Sequence, residues 1–198
     1  MATDTSPTPI AAVGVAEVGV AEDRLTRLFA RFMTSGYLVY LLLLAPTIIR
    51  QNRVVATWWT IVAVIAVFGP PVAMGAAAFH RDLRWTRYAA VVTATGFVAA
   101  AALWPLAWNG RLLHSDAWIS TIPGLAGLAA ALAWPPVRTI ALLVAAVVPV
   151  QLINHHCRAA GHNGPLIPEL LFALSFCLLY VGAALMAMRT GRLLDATR

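Results

Sequence analysis

The sequence predicts an all-α membrane protein, a six-helix transmembrane bundle with both termini in the cytoplasm. Hydrophobic residues make up 61% of the 198 residues and charged residues only 11%, whereas a water-soluble domain of this length carries about a quarter charged residues. Too little polar surface is left to cover a globule in water, so lipid must be the solvent. Six apolar segments, and an uneven distribution of arginines between them, predict the number of spans and their orientation.

The chain is expected to begin with a flexible tail, residues 1–22, which is rich in small residues and has no basic residue. A secretory signal needs a basic front end, so this tail is not interpreted as one. Asp23–Phe32, DRLTRLFARF, follows with arginines at spacings of three and four. This pattern predicts a short amphipathic helix on the membrane surface that leads into the first span.

The membrane domain, residues 23–188, contains six predicted spans, and a helix needs about 20 residues to cross the hydrocarbon. In chain order the spans are Phe32–Ile49, Ala56–Phe79, Tyr88–Trp108, Ala117–Trp134, Pro136–Ile153 and Pro168–Met188. The motif WPPVR separates the fourth span from the fifth. Two prolines do not fit one continuous helix, so these two spans are predicted to form a helical hairpin. FGPPVAMG, residues 68–75, predicts a bent second span.

Arginines predict the orientation. With the N-terminus inside, ten arginines lie in cytoplasmic segments and four in outer loops, which fits the positive-inside rule and an even number of spans. The cytoplasmic set is Arg24, Arg27, Arg31, Arg81, Arg84, Arg87, Arg138, Arg189, Arg192 and Arg198, and the outer set is Arg50, Arg53, Arg111 and Arg158. Residues 189–198 are then a cytoplasmic exit helix, and the protein is expected to be a multi-pass protein of the cell membrane.

Tryptophans near the predicted span ends are interpreted as belts at the membrane–water interface, where amphipathic rings are favoured. They are Trp58, Trp59, Trp104, Trp108, Trp118 and Trp134. Several glycines within the spans, Gly96, Gly124, Gly127 and Gly182, predict close contact between helices.

One loop carries the candidate site, INHHCRAAGHNGP at residues 153–165, which lies outside the membrane between the fifth and sixth spans. The candidate metal ligands are His155, His156, Cys157 and His162. Three of these are consecutive, and consecutive side chains diverge, so at most two of the three are expected to face one ion. His114 and Asp116 would complete such a site only if the two loops meet. A polar loop with incidental histidines is the favoured interpretation, and a pH-sensing histidine cluster is a further alternative.

Other polar groups favour structural roles. Cys177 lies nine residues beyond Pro168, about 13 Å into the membrane, so no disulfide with Cys157 is expected. Glu169 is predicted to stabilise the start of the last helix, with cation binding as the alternative. No phosphate-binding glycine loop, GxSxG or HExxH motif is present, so the sequence leaves an enzyme activity open and predicts no cofactor apart from the possible metal. The lack of a charge at mid-membrane counts against an ion-coupled transporter.

The front segment RLTRLFARFMTSGYLVYLLLLAP, the six spans and the exit MRTGRLLDATR together resemble the membrane sensor half of actinobacterial two-component histidine kinases, over roughly Arg24–Arg198. The resemblance implies a multi-span sensor module whose last helix leads to a dimerising phospho-acceptor domain and an ATP-binding domain. The 198 residues include neither domain, so no functional residue is carried over. It also implies a homodimer and, as partners, a cytoplasmic kinase core or response regulator.

The leading functional hypothesis is therefore the input module of a bacterial signalling kinase, which passes a stimulus through the last span. The alternatives are a metal or redox binding protein that uses the His/Cys loop, and a small membrane scaffold or transporter. Nucleic acid is not expected as a partner despite the net charge of +6. The arginines occur one to three at a time between apolar runs, which is typical of loops beside anionic lipid.

Overall fold

The computed structural model describes the backbone of residues 9–158 and 164–196, and the side chains of residues 23–158 and 164–190. These residues form α-helices and one 3₁₀ turn, with no strand among them, which confirms the all-α prediction. The helices are α1 Pro9–Gln51, α2 Thr57–Phe79, α3 Leu83–Ala107, α4 Pro123–Ala133, α5 Pro136–Cys157 and α6 Leu166–Ala196, and the 3₁₀ turn is Trp118–Thr121. Helix α1 begins within the predicted tail and continues unbroken through Asp23–Phe32, and residues 1–8 lie outside the described range.

Five helices are long and apolar enough to cross a bilayer, namely α2, α3, α5 and the parts of α1 and α6 at Asp23–Gln51 and Leu166–Thr190. Each has at least 22 residues, or about 33 Å of helix, against a hydrocarbon core of about 30 Å. Their apolar faces are widely exposed, as in Leu42, Leu106 and Leu179. The fold is therefore that of a membrane protein.

Helix α4 corrects the prediction for the fourth segment. The predicted span Ala117–Trp134 is a 3₁₀ turn followed by a helix of 11 residues, about 16 Å long. The reason lies at Ile122 and Pro123, because a residue before proline is disfavoured in the α region and Ile122 has ψ 10°. Pro123 occupies the first turn of α4, where its missing N–H costs no hydrogen bond, and the residues before it form the 3₁₀ turn.

The short helix occupies the centre of the bundle. Eight of its 11 residues are buried, and it packs against α1, α3, α5 and α6. Small residues make this possible, as the sequence predicted. A Cβ at Gly127 would lie 2.8 Å from Leu143 of α5 and 3.0 Å from Val181 of α6, and a Cβ at Gly124 would overlap Tyr180 of α6. The predicted close contact at Gly182 is not found, since nothing lies within 4 Å of its Cβ position.

The double proline of α2 is held from both sides. Pro70 has no N–H, so the carbonyl of Ala66 loses its helical donor. Gly96 of α3 lies against that carbonyl, and a Cβ there would be 2.8 Å from the Ala66 oxygen. On the other side, the Thr34 hydroxyl of α1 donates to the Pro71 carbonyl at 2.8 Å. These contacts fix α2 between its two neighbours.

Three tryptophans form part of the core, so the belt interpretation is wrong for them. Trp59, Trp104 and Trp118 are buried, whereas Trp58 is exposed at a helix start. The Trp59 and Trp104 rings meet edge to face at 4.8 Å, and the Trp59 indole N–H donates to the Ala100 carbonyl at 3.2 Å. With its N–H satisfied, the Trp59 indole packs inside the bundle as readily as at an interface.

The two ends of the bundle differ. One end, here called the Glu169 end, brings together the end of α1, the end of α5 and the start of α6, through Gln51, Asn154 and Glu169. The other end, called the Arg189 end, joins the start of α3, the α4–α5 turn and the later part of α6 around one cavity. Helices α3, α4, α5 and α6 therefore alternate in direction.

Candidate functional site: a cleft between α4, α5 and α6

A cavity of about 390 Å³ opens at the Glu169 end, between the 3₁₀ turn, α5 and α6. Its rim is charged and polar, and its α6 wall is apolar. The rim consists of Asp116, Ser120, Thr121, Gln151, Arg158 and Glu169, and the α6 wall of Phe172, Ala173, Phe176, Cys177 and Tyr180. This size and mixture of groups are typical of a small-molecule site. We call it the α6 cleft.

The rim of the α6 cleft is organised by Arg158. Its guanidinium is paired with the Asp116 carboxylate and lies 3.2 Å and 3.3 Å from the two Glu169 oxygens. Glu169 also accepts the Gly164 N–H at 3.1 Å. The Arg158 side chain is 14% exposed and Glu169 26%, so the pair is only partly hydrated. Two carboxylates around one guanidinium leave the rim with an excess negative charge.

Two buried amide side chains hold the loop that carries Asp116. Gln51, at the end of α1, donates to the Asp116 carbonyl at 2.7 Å and accepts the Trp118 N–H at 2.9 Å. Asn154 of α5 accepts the Ala117 N–H at 2.9 Å. The N–H groups at the start of the 3₁₀ turn are therefore satisfied, although the turn lies within the bundle. The rim is fixed by α1 and α5 rather than by the loop alone.

The α6 wall carries aromatic rings at helical spacing. Phe172 and Phe176 stack with centroids 6.5 Å apart, and Phe176 meets Tyr180 edge to face at 5.4 Å. The Tyr180 hydroxyl donates to the Cys177 sulfur at 3.4 Å and takes the space that Gly124 leaves. An amphipathic ligand with a cationic or hydrogen-bonding head at the rim and an apolar body along α6 fits this arrangement.

The three predicted metal ligands that the structure describes do not line the α6 cleft. His155, His156 and Cys157 form the last turn of α5, where Cys157 is buried and the two histidine rings are 5.8 Å apart. His162 lies outside the described residues. Within the described part of the chain, no three His, Cys, Asp or Glu side chains are grouped to hold a metal ion. The metal site therefore stays a prediction.

The loops that the metal hypothesis required to meet do meet, but through a backbone hydrogen bond and an ion pair rather than through grouped metal ligands. The Leu113 N–H donates to the Cys157 carbonyl at 2.6 Å, and Asp116 reaches Arg158. His114 is exposed. Cys157 and Cys177 are both free and buried, which confirms that they form no disulfide. Glu169 lies in the first turn of α6, as predicted, and its carboxylate forms an ion pair with the Arg158 guanidinium.

Gln51 and Asn154 are functional-site residues that sequence reasoning missed. Each lies just beyond the end of a predicted span, a position that is usually solvated. Their burial, at 5% and 1% exposure, depends on a partner more than 35 residues away in the chain. Only the amide chemistry itself was a signal, since buried amides are retained where backbone groups need partners.

The fold and the site define this chain as an integral membrane protein with a cleft against its last helix. No protein-family model, no curated protein and no solved structure matches it.

Proposed function

We propose that the chain is the membrane-embedded input module of a bacterial two-component histidine kinase, and that α6 passes its stimulus to a cytoplasmic kinase core. One observation carries the proposal. Helix α6 is a single helix of 31 residues, about 46 Å long, that forms the wall of the α6 cleft and then continues past the Arg189 end. A change at the cleft therefore acts on the same rigid element that leaves the bundle.

The proposal includes six passes through the cell membrane with both termini in the cytoplasm. It is supported by the alternating helix directions, in which α4 with its 3₁₀ turn supplies the fourth pass through the centre of the bundle. The arginine distribution then places the Arg189 end inside and the α6 cleft outside. Helix α4 can be shorter than the hydrocarbon core is thick, because other helices rather than lipid surround it.

Helix α6 is suited to move because little of it is buried. In its membrane part only 11% of the most apolar stretch lies inside the bundle, against 44% in α3 and α5. Its apolar residues that face away from the bundle include Leu171 and Leu179, a surface that fits lipid or the α6 of a second copy. A ligand that binds one position of α6 more tightly than another shifts the population by that difference in affinity.

The trigger in this mechanism is the Arg158–Glu169 pair. It connects α5 to the first turn of α6, so a cationic ligand that takes Glu169 from Arg158 frees the start of α6 from α5. Arg158 keeps Asp116 as its partner, which lowers the cost of the exchange. The stimulus is thereby converted into a change in how α6 packs.

The test is a fusion of the full chain to a histidine kinase core, reconstituted in vesicles, with alanines inserted after Gly191. Each inserted residue turns the following helix by about 100°. Two residues therefore turn the kinase core by about 200°, and seven by about 700°, close to two full turns. We expect two inserted residues to invert or abolish autophosphorylation and seven to restore it.

The same insertions after Gly110, an exposed loop position, serve as the control and should leave the output unchanged. An output that falls smoothly with the number of residues inserted after Gly191, or that ignores it, contradicts transmission through a continuous helix.

A further inference from the structure

A second cavity, of about 410 Å³, lies at the Arg189 end between α3, the α4–α5 turn and α6. Arg87 and Arg189 line it from two helices that are distant in sequence, and Trp134 and Pro136 line it from the turn. Leu132 and Met188 supply apolar surface. The cavity therefore has a mainly polar surface with two guanidinium groups and a smaller apolar part, at the end of the bundle where arginines concentrate.

The backbone of the turn adds further positive potential to this cavity. Helix α5 begins at Pro136, and its N-cap, Pro135, has no side chain that accepts a hydrogen bond from the first turn. The positive end of the helix dipole therefore lies at the turn that lines the cavity. A guanidinium forms paired hydrogen bonds with phosphate oxygens. Two guanidinium groups beside a helix N-terminus are therefore suited to an anion that has several oxygens.

We propose that this cavity binds the phosphate of an anionic membrane phospholipid. The recognised chemistry is a phosphate ester, which Arg87 and Arg189 would hold while Leu132 and Met188 contact the glycerol and the first acyl carbons. A lipid is favoured over a soluble phosphate because the cavity has an apolar part and lies at the end of membrane-spanning helices.

This inference gives the lipid a role that rests on the proposed function. A phosphate held by Arg87 of α3 and Arg189 of α6 ties the last described turns of α6 to the rest of the bundle. Anionic lipid therefore stabilises one position of α6, at the opposite end from the α6 cleft. Lipid composition would then set the threshold at which the stimulus acts.

The test measures lipid retention, which is independent of kinase output. The full chain is purified in detergent with an equimolar mixture of phosphatidylglycerol and phosphatidylcholine, and retained lipids are counted by native mass spectrometry. Arg87→Gln and Arg189→Gln should each lower phosphatidylglycerol retention about tenfold, as expected for one charge-assisted hydrogen-bonding group. Phosphatidylcholine retention should fall less, because its choline cation offsets the charge of the same phosphate group.

Arg84→Gln is the matched control, because Arg84 is an exposed arginine of α3 near the same end and does not line the cavity. It should retain phosphatidylglycerol within about twofold of the parent chain, because Arg87 and Arg189, which are also exposed, line the cavity and Arg84 does not. An equal loss in Arg84→Gln and Arg87→Gln overturns the proposal, because it shows a general surface attraction. Melting curves in phosphatidylcholine alone verify that all variants fold.

The last measurement tests whether soluble phosphate can replace the lipid as the ligand. Inorganic phosphate at millimolar concentration, added to the chain in phosphatidylcholine, should raise its melting temperature less than phosphatidylglycerol does. Equal protection by inorganic phosphate would overturn the lipid as the ligand. The two proposals can fail separately. If the kinase output does not depend on the number of residues inserted after Gly191, the proposed function is contradicted. If phosphatidylglycerol retention still depends on Arg87 and Arg189 in that case, the lipid site remains supported.

Discussion

Replacing Gly96 by alanine should separate α2 from α3. A Cβ at this position would lie 2.8 Å from the Ala66 carbonyl oxygen, whereas ordinary van der Waals contact begins at 3.4 Å. The two helices must therefore move apart by about 0.6 Å, because the opposing atom is backbone and has no rotamer to change. Overpacking of this kind costs about 1–3 kcal/mol.

The alanine also gains helix propensity, about 1 kcal/mol, which masks part of the loss. Gly36→Ala in α1 is the matched control, because nothing lies within 4 Å of its Cβ position. It receives the same gain without the clash, so the difference in unfolding free energy between the two variants isolates the contact. We expect Gly96→Ala to be about 1–3 kcal/mol less stable than Gly36→Ala.

The assay is reversible unfolding of the purified full chain in mixed micelles, with increasing sodium dodecyl sulfate and helix content or tryptophan fluorescence as the signal. Trp59 and Trp104 pack between α2 and α3, so their fluorescence reports on this interface. Equal stability of the two alanine variants would refute the close contact between Gly96 and the carbonyl that Pro70 frees.

Two further predictions concern the support of the α6 cleft. Arg158→Gln leaves Asp116 and Glu169 without their shared cation. It should lower the unfolding free energy by about 1–3 kcal/mol, a range that allows for the exposure of Asp116. The same micelle titration measures this change, and a loss below about 0.5 kcal/mol would show that the pair is only a surface contact. Gln51→Leu leaves the buried Trp118 N–H without an acceptor and should lower the unfolding free energy by about 1–3 kcal/mol. Hydrogen exchange at residues 116–118 should become faster. Unchanged exchange at these residues would contradict the bridge from α1 to the 3₁₀ turn.

The membrane class and most helices were predictable because length and apolarity are local properties. Segments such as Ala56–Phe79 and Pro136–Ile153 agree with α2 and α5 to within a few residues. The fourth segment is not the continuous helix that was predicted, because the apolar composition of Ala117–Trp134 does not reveal the backbone restriction that Pro123 places on Ile122.

Burial inside the bundle was not predictable in the same way. In lipid a helix is apolar on all sides, so its hydrophobic pattern does not show which face meets another helix. Trp59 and Trp58 are neighbours of identical chemistry, yet one is buried in the core and the other is exposed. Their positions near a predicted span end therefore predict an interfacial site for both, and only Trp58 is exposed.

By itself, the sequence determined that the solvent is lipid, that the chain is helical and roughly where the helices lie, because each follows from the composition of a continuous segment. The tertiary structure alone decided that the short α4 is central, that Gln51 and Asn154 hold the 3₁₀ turn, and that Arg158 joins Asp116 to Glu169. These are contacts between distant segments. They depend on the fit of small residues and on single polar partners, which no local pattern encodes.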